Sequence, residues 1–377
     1  MFILAFLFQQ VGVYAQSIPS IGQNNQLEIA NWNLEWFGKT ANGYGPSNDS
    51  LQQHLIAKVI AASEIDIWAL CEVSNSIAFD TLCKRLPKYS GLLSTYLPEQ
   101  KTALLFKASD FKMVSKKQLG VNQSDSFSTL RFPLEVILVP SQNSSIDTLK
   151  LLIIHLKANT GNDSQKMLAY NSRRRSSEWL NSYINQQSNK AKVMILGDWN
   201  DDLDQSIFNG LPSPFSAIIN NNKGHFISKR LSDLQESTTV TYPEPIDHQW
   251  VSKSLLNYWL PDSVRTWQLQ SLISNYAQLC SDHLPVYSKY NLHVQNINKP
   301  EHTSIKLWPN PCQHSIHIET DERIISWQII NNLGQLIQIG NTLDNGKIPI
   351  VDCLFGIYAL TLNFEQSHYT VKLMIEQ

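Results

Sequence analysis

The chain has 377 residues, room for one large domain and one small one. Charged residues make up 16%, against roughly 25% in a typical soluble domain; Ser, Asn, Gln and aromatics take their place, as suits an exported protein. A net charge of −2 excludes a global basic field that would draw the molecule onto a polyanion, so any attraction to phosphate must be local.

In chain order, the first feature is an apolar N-terminus ending in Val13-Tyr14-Ala15, which fits a secretory signal occupying residues 1–15. No other segment approaches the roughly 18 apolar residues of a transmembrane helix. Residues 28–36 then read as a strand that puts Asn31, Asn33 and Glu35 on one face. A helix is expected near 50–63. The next strand, 65–73, finishes in Glu72, with Cys71 expected on the opposite face. Lys101, Lys107, Lys112, Lys116 and Lys117 follow as a basic run, read as a solvated face. Residues 149–157 form an apolar strand presenting His155.

A second helix is expected over 173–186, opened by Arg173-Arg174-Arg175, a run likewise read as a solvated face. Next comes the apolar run Lys192-Val-Met-Ile-Leu196, followed by Gly-Asp-Trp-Asn-Asp at 197–201. A strand ending in a tight glycine turn there sets Asp198 and Asn200 side by side, since residues i and i+2 of an extended segment share a face. The irregular stretch 204–245 is expected to shape a cleft without disclosing its ligand. Ile-Asp-His at 246–248 and Cys-Ser-Asp-His-Leu-Pro-Val at 280–286 complete the set with Asp247, Asp282 and His283. A lone charge in so apolar a strand is costly unless paired or metal-bound. Repetition of the same violation at five strand ends points to one shared polar cleft.

The ordered motifs Asn-Trp-Asn-Leu-Glu-Trp-Phe (31–37), Leu-Cys-Glu-Val (70–73), Ile-His-Leu-Lys (154–157), Gly-Asp-Trp-Asn-Asp (197–201), Ile-Asp-His (246–248) and Ser-Asp-His (281–283) resemble the endonuclease/exonuclease/phosphatase superfamily, the fold of deoxyribonuclease I, over residues 26–291. The resemblance implies a four-layer α/β sandwich of two packed mixed sheets flanked by helices. It also implies phosphodiester hydrolysis with Glu72 as first metal ligand, supported by Asp282 and Glu35. Such oxygen donors favour Mg²⁺ or Mn²⁺, with Ca²⁺ also compatible. Asn33 would tune the metal site and, with Asn200, contact phosphate. Asp198 would orient or deprotonate water. His283, oriented by Asp247, would serve as base or phosphate contact, and His155 as an acid or electrostatic contact. A cleft-lining His283 would support few packing contacts and matter little for stability. Arg131 reads either as a phosphate contact or as a surface arginine before a strand. His248 is expected to point away and pack.

Beyond a polar linker at 292–302, residues 303–377 change character. Short alternating strands with regular turn residues, the Pro-Asn-Pro at 309–311, a Gly334 turn and Gly356-Ile-Tyr358 resemble the C-terminal sorting domain of the type IX secretion system of Bacteroidetes, a small all-β sandwich. The type IX machinery is then the expected partner, and the cell surface or exterior the expected location. Cys312 and Cys353 share this domain and are candidates for a bridge. These features together read as a secreted, divalent-metal-dependent nuclease acting on DNA or RNA. The alternatives are a lipid or inositol phosphate hydrolase of the same superfamily and a catalytically silent surface-binding module. The latter is expected to have lost some of Glu72, Asp198, Asn200, Asp282 and His283, and none is missing.

Overall fold

The computed structural model describes residues 17–292 and 305–376, except positions 24, 97–98, 128, 143, 321, 332–334, 352 and 365–367. The expected signal segment, all of the linker but Leu292, and the Gly334 turn lie outside the described residues. The chain divides into two compact units, residues 1–293 and 294–377.

The first unit runs β1 (Gln26–Phe37), α1 (Asp49–Ser63), β2 (Ile67–Val73), α2 (Ser76–Arg85), β3 (Tyr89–Leu93), β4 (Lys101–Lys107), β5 (Phe111–Gln118), β6 (Leu134–Pro140), β7 (Leu149–His155), α3 (Asp163–Gln186), β8 (Val193–Asp198), β9 (Gly224–Phe226), β10 (Asp247–Ser252), β11 (Arg265–Thr266) and β12 (Val286–Asn291), with short helical turns between. One sheet has the order β11-β12-β1-β2-β4-β3, the other β5-β6-β7-β8-β10-β9. Parallel pairs β1–β2 and β7–β8 sit among antiparallel neighbours, so both sheets are mixed.

Alternation along each strand builds the layers. Trp32, Leu34, Trp68 and Leu70 face outward and are covered by Leu55, Ile56 and Ile60 of α1 and Leu82 of α2. Leu27, Ile29, Ile67 and Ala69 face inward and meet Leu151, Ile153, Met194, Leu196 and Val251 of the other sheet. That second sheet turns Leu152, Ile154, Ile195 and Trp250 outward, under Leu180 and Ile184 of α3. Each large apolar side chain so buried contributes roughly 1.5–3 kcal/mol. This is the four-layer α/β sandwich.

The helix expected from residue 173 begins ten residues earlier. Asn162 accepts from the Gln165 N–H while the Gln165 side chain accepts from the Asn162 N–H, a reciprocal cap that fixes the start at Asp163. The arginine triplet therefore lies mid-helix. Arg173 is no solvated charge: it is fully buried, pairs with Asp201 at 2.8 Å, and donates to the Lys157 carbonyl. Lys107 is likewise committed, at 2.8 Å from Asp66. Lys112, Lys116 and Lys117 on β5 lie at the surface as expected.

At the β1 start, the buried Glu28 carboxyl adjoins Asp66, and its Oε2 has no hydrogen-bond partner. Burial, then the Asp66 charge, pushes Glu28 from 4.5 up to about 8. The folded protein thus binds this proton more tightly than the unfolded chain. Its stabilising effect is complete below about pH 4.5 and is lost as pH rises towards 8. Glu28→Gln is expected to flatten the fall in unfolding free energy between pH 5 and 8, by up to about 1.4 kcal/mol per pH unit. Coincident slopes for the two proteins in urea titrations would count against a buried proton here.

The second unit comprises a three-stranded sheet (Lys306–Trp308, Ser315–Glu319, Lys347–Pro349) and a four-stranded sheet (Ser326–Asn331, Leu336–Gly340, Gly356–Asn363, His368–Ile375). Ile316, Ile318 and Ile348 of the first share a core with Trp327, Ile329, Leu360, Leu362 and Leu373 of the second. Cys312 and Cys353, the candidates for a bridge, are not joined in a disulfide. Because each unit buries its own core, a chain ending at Asn291 is expected to fold and keep its turnover rate. Calorimetry and kinetics on that truncated chain check this, and collapse of its melting transition would show that the tail completes the enzyme.

Candidate active site

The inward positions that are apolar at one end of the sandwich become polar at the other. β1 continues Leu27, Ile29 with Asn31, Asn33, and β8 continues Met194, Leu196 with Asp198. Three of these positions stand in one register row, because His155 pairs with Asp198 across β7–β8 and Asp198 with Asp247 across β8–β10. Gly197 permits the row: its φ is +136°, and a Cβ there would lie 2.1 Å from the Ile154 carbonyl oxygen. Trp199 turns outward into the α3 side of the core, and its indole donates to the His248 carbonyl. Deeper between the sheets, Asn31 donates to the Gly197 carbonyl and accepts from Gln249.

The facing sheet supplies Asn33, whose amide donates to Asp198 at 2.9 Å and to Glu72 at 3.1 Å. Strict alternation would turn Glu72 away, since it is Cys71 that pairs with Asn33 and points inward, its Sγ donating to the Ile154 carbonyl. The left-handed backbone of Glu72 (φ +60°), beside register shifts in both flanking pairings, brings its carboxylate to the same side. The expectation for Cys71 is therefore corrected: a backbone irregularity separates the two residues, and both face the cleft. Glu72 Oε2 accepts from the Trp36 N–H at 3.0 Å. Glu35 and Trp36 are also left-handed, at φ +48° and +55°. Strain of this kind persists where surrounding contacts over-determine it, and it gathers at sites.

Asp282 and His283 arrive on the segment before β12. Glu35 accepts from the Asp282 N–H at 2.9 Å, and His283 Nδ1 lies 2.8 Å from Asp247 Oδ2. The same Asp247 oxygen accepts from the Thr238 hydroxyl, while residues 238–240 bridge to 282–284 through the Leu284 and Val240 N–H groups. Thr238 is thus a positioning residue that sequence reading missed. It sits in the irregular 204–245 stretch, which carries no motif to flag it.

Arg131 is buried, which removes the surface reading. Its guanidinium contacts both His155 ring nitrogens, at 3.0 and 2.7 Å, and donates to Gln100 and to the Leu156 carbonyl. Asn200, left-handed at φ +58°, lies just past the end of β8 and donates to the Leu156 carbonyl at 3.2 Å, while its N–H caps Asp198. It thus neighbours Asp198 through a turn rather than through strand alternation. His248 packs, fully buried, against Ser228 and the Asp201 carbonyl.

The electrostatics divide the cleft. Burial and the Asp282 charge push Glu35 up to about 8. Burial and Asp247 push Asp198 up to about 7. Burial, then Arg131 and His283, holds His155 well below the ordinary histidine value, a neutral imidazole and hence a poor proton donor. Burial opposes the charge on His283 as well, yet Asp247, Asp282 and Asp198 outweigh it and push its pKa well above 6.5. Two groups of potential ligand atoms lie within 4.8 Å of one another: Glu72, His155 and Asp198, and Asp198, Asp247 and His283. Asp247 Oδ1 is buried without a hydrogen-bond partner. Carboxylates this close, one with an orphaned oxygen, fit a divalent cation held largely by oxygen. Glu72 belongs to the first group, whereas Glu35 and Asp282 stand outside both.

Residues 30–283 match the Endonuclease/Exonuclease/phosphatase family, and the chain belongs to that family of phosphoric-ester hydrolases, whose members generally use divalent metals. Residues 306–376 match the secretion system C-terminal sorting domain, which marks the chain for type IX export to the cell surface or beyond. A search of curated proteins returns no match. Among solved structures, humanized D. rerio TDP2 aligns at 18% identity and a TM-score of 0.52, covering 71% of this chain and 99% of that one. The human Nocturnin catalytic domain with bound sulfate gives 20%, 0.51, 71% and 95%. An endonuclease/exonuclease/phosphatase from Beutenbergia cavernae gives 11%, 0.52, 93% and 100%. At these identities the likeness is one of fold.

Proposed function

We propose that this chain is a secreted, divalent-metal-dependent phosphodiesterase that cleaves nucleic acid. The observation that carries the reading is the convergence of Asn33, Glu72, His155, Asp198, Asp247 and His283 at one rim of two facing sheets. Hydrolysis of a phosphodiester joins a water oxygen to phosphorus, breaks the bond to the leaving alkoxide, and delivers a proton to that alkoxide. Glu72 and Asp198 would hold the cation, with Glu35 and Asp282 as further carboxylates; when bound, the cation polarises phosphate and neutralises charge developing on it. Asp247 fixes the His283 ring through Nδ1, leaving Nε2 to exchange a proton with water or phosphate. Asp198 orients the attacking water. Asn33, its amide donating to Glu72 and Asp198, fixes those two carboxylates; Asn200 and Arg131 donate to phosphate oxygens, and Arg131 with a neutral His155 forms the electropositive wall.

The presence of every proposed acid, base and ligand weighs against a silent binding module. A panel of single-stranded DNA, plasmid DNA, RNA, sphingomyelin, inositol phosphates and phosphomonoesters in Mg²⁺ tests the substrate class. Turnover of a nucleic acid above all others is expected. Preferential hydrolysis of a lipid or inositol phosphate would overturn the assignment while leaving the site intact.

A further inference from the structure

Trp36 and Tyr44 stand beside this site without a part in the chemistry. They meet edge to face, with ring centroids 4.7 Å apart and planes at 63°. Trp36 is half-buried and follows Glu35 directly, while its own N–H holds Glu72. Tyr44 is 43% exposed. It sits at the tip of a turn between two left-handed glycines, Gly43 and Gly45. Gly45 presses the loop against the end of β1, where a Cβ would lie 2.5 Å from the Glu35 carbonyl oxygen.

The loop is also tied to the phosphate side. Lys39 Nζ lies 5.4 Å from the Tyr44 ring centroid and 2.6 Å from Glu99, whose neighbour Gln100 accepts from Arg131. The aromatic pair thus lies beside the Glu72 carboxylate, with Lys39 near the Tyr44 ring and tied through Glu99 to the segment whose Gln100 accepts from Arg131. An exposed ring held by packing and by one lysine, next to the proposed phosphate-handling centre, matches the stacking platforms that hold unpaired bases.

Resting on the nucleic-acid reading above, we infer that Trp36 and Tyr44 form a stacking shelf for one unpaired nucleobase beside the scissile phosphate. A base inside a duplex offers no free face, so the shelf selects single strands, or strand ends and gaps, over intact duplex.

The test compares cleavage of a short single-stranded oligonucleotide with that of the same strand carrying base-free sugar residues around the cleaved bond. Wild type, Tyr44→Ala, Tyr44→Phe and Trp36→Ala are assayed in Mg²⁺. Wild type should prefer the base-bearing strand, through KM. Tyr44→Ala and Trp36→Ala should reduce that preference roughly 5- to 150-fold, the range for losing one aromatic stack, and Tyr44→Phe should restore it. Direct binding of the uncleaved strand, followed by tryptophan fluorescence, should weaken in Tyr44→Ala by a similar factor. An unchanged preference and unchanged binding in Tyr44→Ala would overturn the shelf. So would equal losses on both strands, which would mark the pair as structural. If wild type cleaves neither strand while hydrolysing another ester, the nucleic-acid reading fails instead.

Discussion

His283→Ala is expected to lower phosphodiester turnover by about 10²–10⁴-fold, the scale for a positioned acid or base. Asp247→Asn should impair the same step, because it is Asp247 Oδ2, at 2.8 Å, that sets the ring. Combining the two should cost little more than His283→Ala alone, as residues acting through one another do. Stability separates the pair further. His283 is only 7% exposed and Asp247 only 1%, so burial argues for a larger stability cost than a cleft-lining histidine with few packing contacts would carry. Removing the imidazole leaves a buried carboxylate facing Asp198 without its counter-charge, a loss on the order of 3 kcal/mol. Asp247→Asn in the same chain removes that orphaned charge and should recover part of it. Urea unfolding of the four proteins gives this cycle, and kinetics on the same preparations gives the other. Independent, multiplying rate losses would dissolve the pair as a unit and turn attention to Asp198 as the residue that handles the water's proton.

Much of this site was legible because the sequence departs from its own apolar pattern at strand ends. Leu27, Ile29, Asn31, Asn33 alternate correctly on paper and in the fold, and so do Met194, Leu196, Asp198. Alternation failed where the backbone leaves the strand conformation. Glu72 reaches the cleft only through a left-handed residue, which nothing in Leu-Cys-Glu-Val announces. Asn200 was paired with Asp198 for the wrong reason, since it is the turn that places it. The charge runs misled in the same way: Arg173 and Arg131 are indistinguishable by local sequence from surface arginines, and only their partners, Asp201 and His155, reveal burial. Thr238 was invisible because hydroxyls that orient a carboxylate obey no spacing rule. Long-range pairing determines such roles, and a single sequence carries little of it.

Chelation is expected to lower turnover by at least about 10³-fold, with Mg²⁺ or Mn²⁺ restoring it, since charge stabilisation by a cation supplies several kcal/mol to the transition state. Glu72→Ala should reproduce most of that loss in saturating Mg²⁺. The reason lies in the carboxylate's position: Oε1 and Oε2 are each held by a donor, Asn33 and the Trp36 N–H, and His155 Nε2 stands 3.6 Å away. Among the described residues no lysine or arginine pairs with Glu72, Asp198 or Asp282. With Glu35 alongside, ionising all of these carboxylates together is unfavourable until a cation arrives. Binding should therefore raise stability, by about 2.7 kcal/mol at a hundredfold excess over the dissociation constant. The apo protein carrying Glu72→Ala should melt close to wild type, because the like charge removed offsets the Asn33 and Trp36 hydrogen bonds lost, yet it should lose the rise on adding Mg²⁺. That thermal signature is independent of catalysis. Full turnover of wild type in chelator, or an undiminished Mg²⁺-dependent melting shift in Glu72→Ala, would remove the cation from this cleft and leave the acidic cluster to be explained by proton sharing alone.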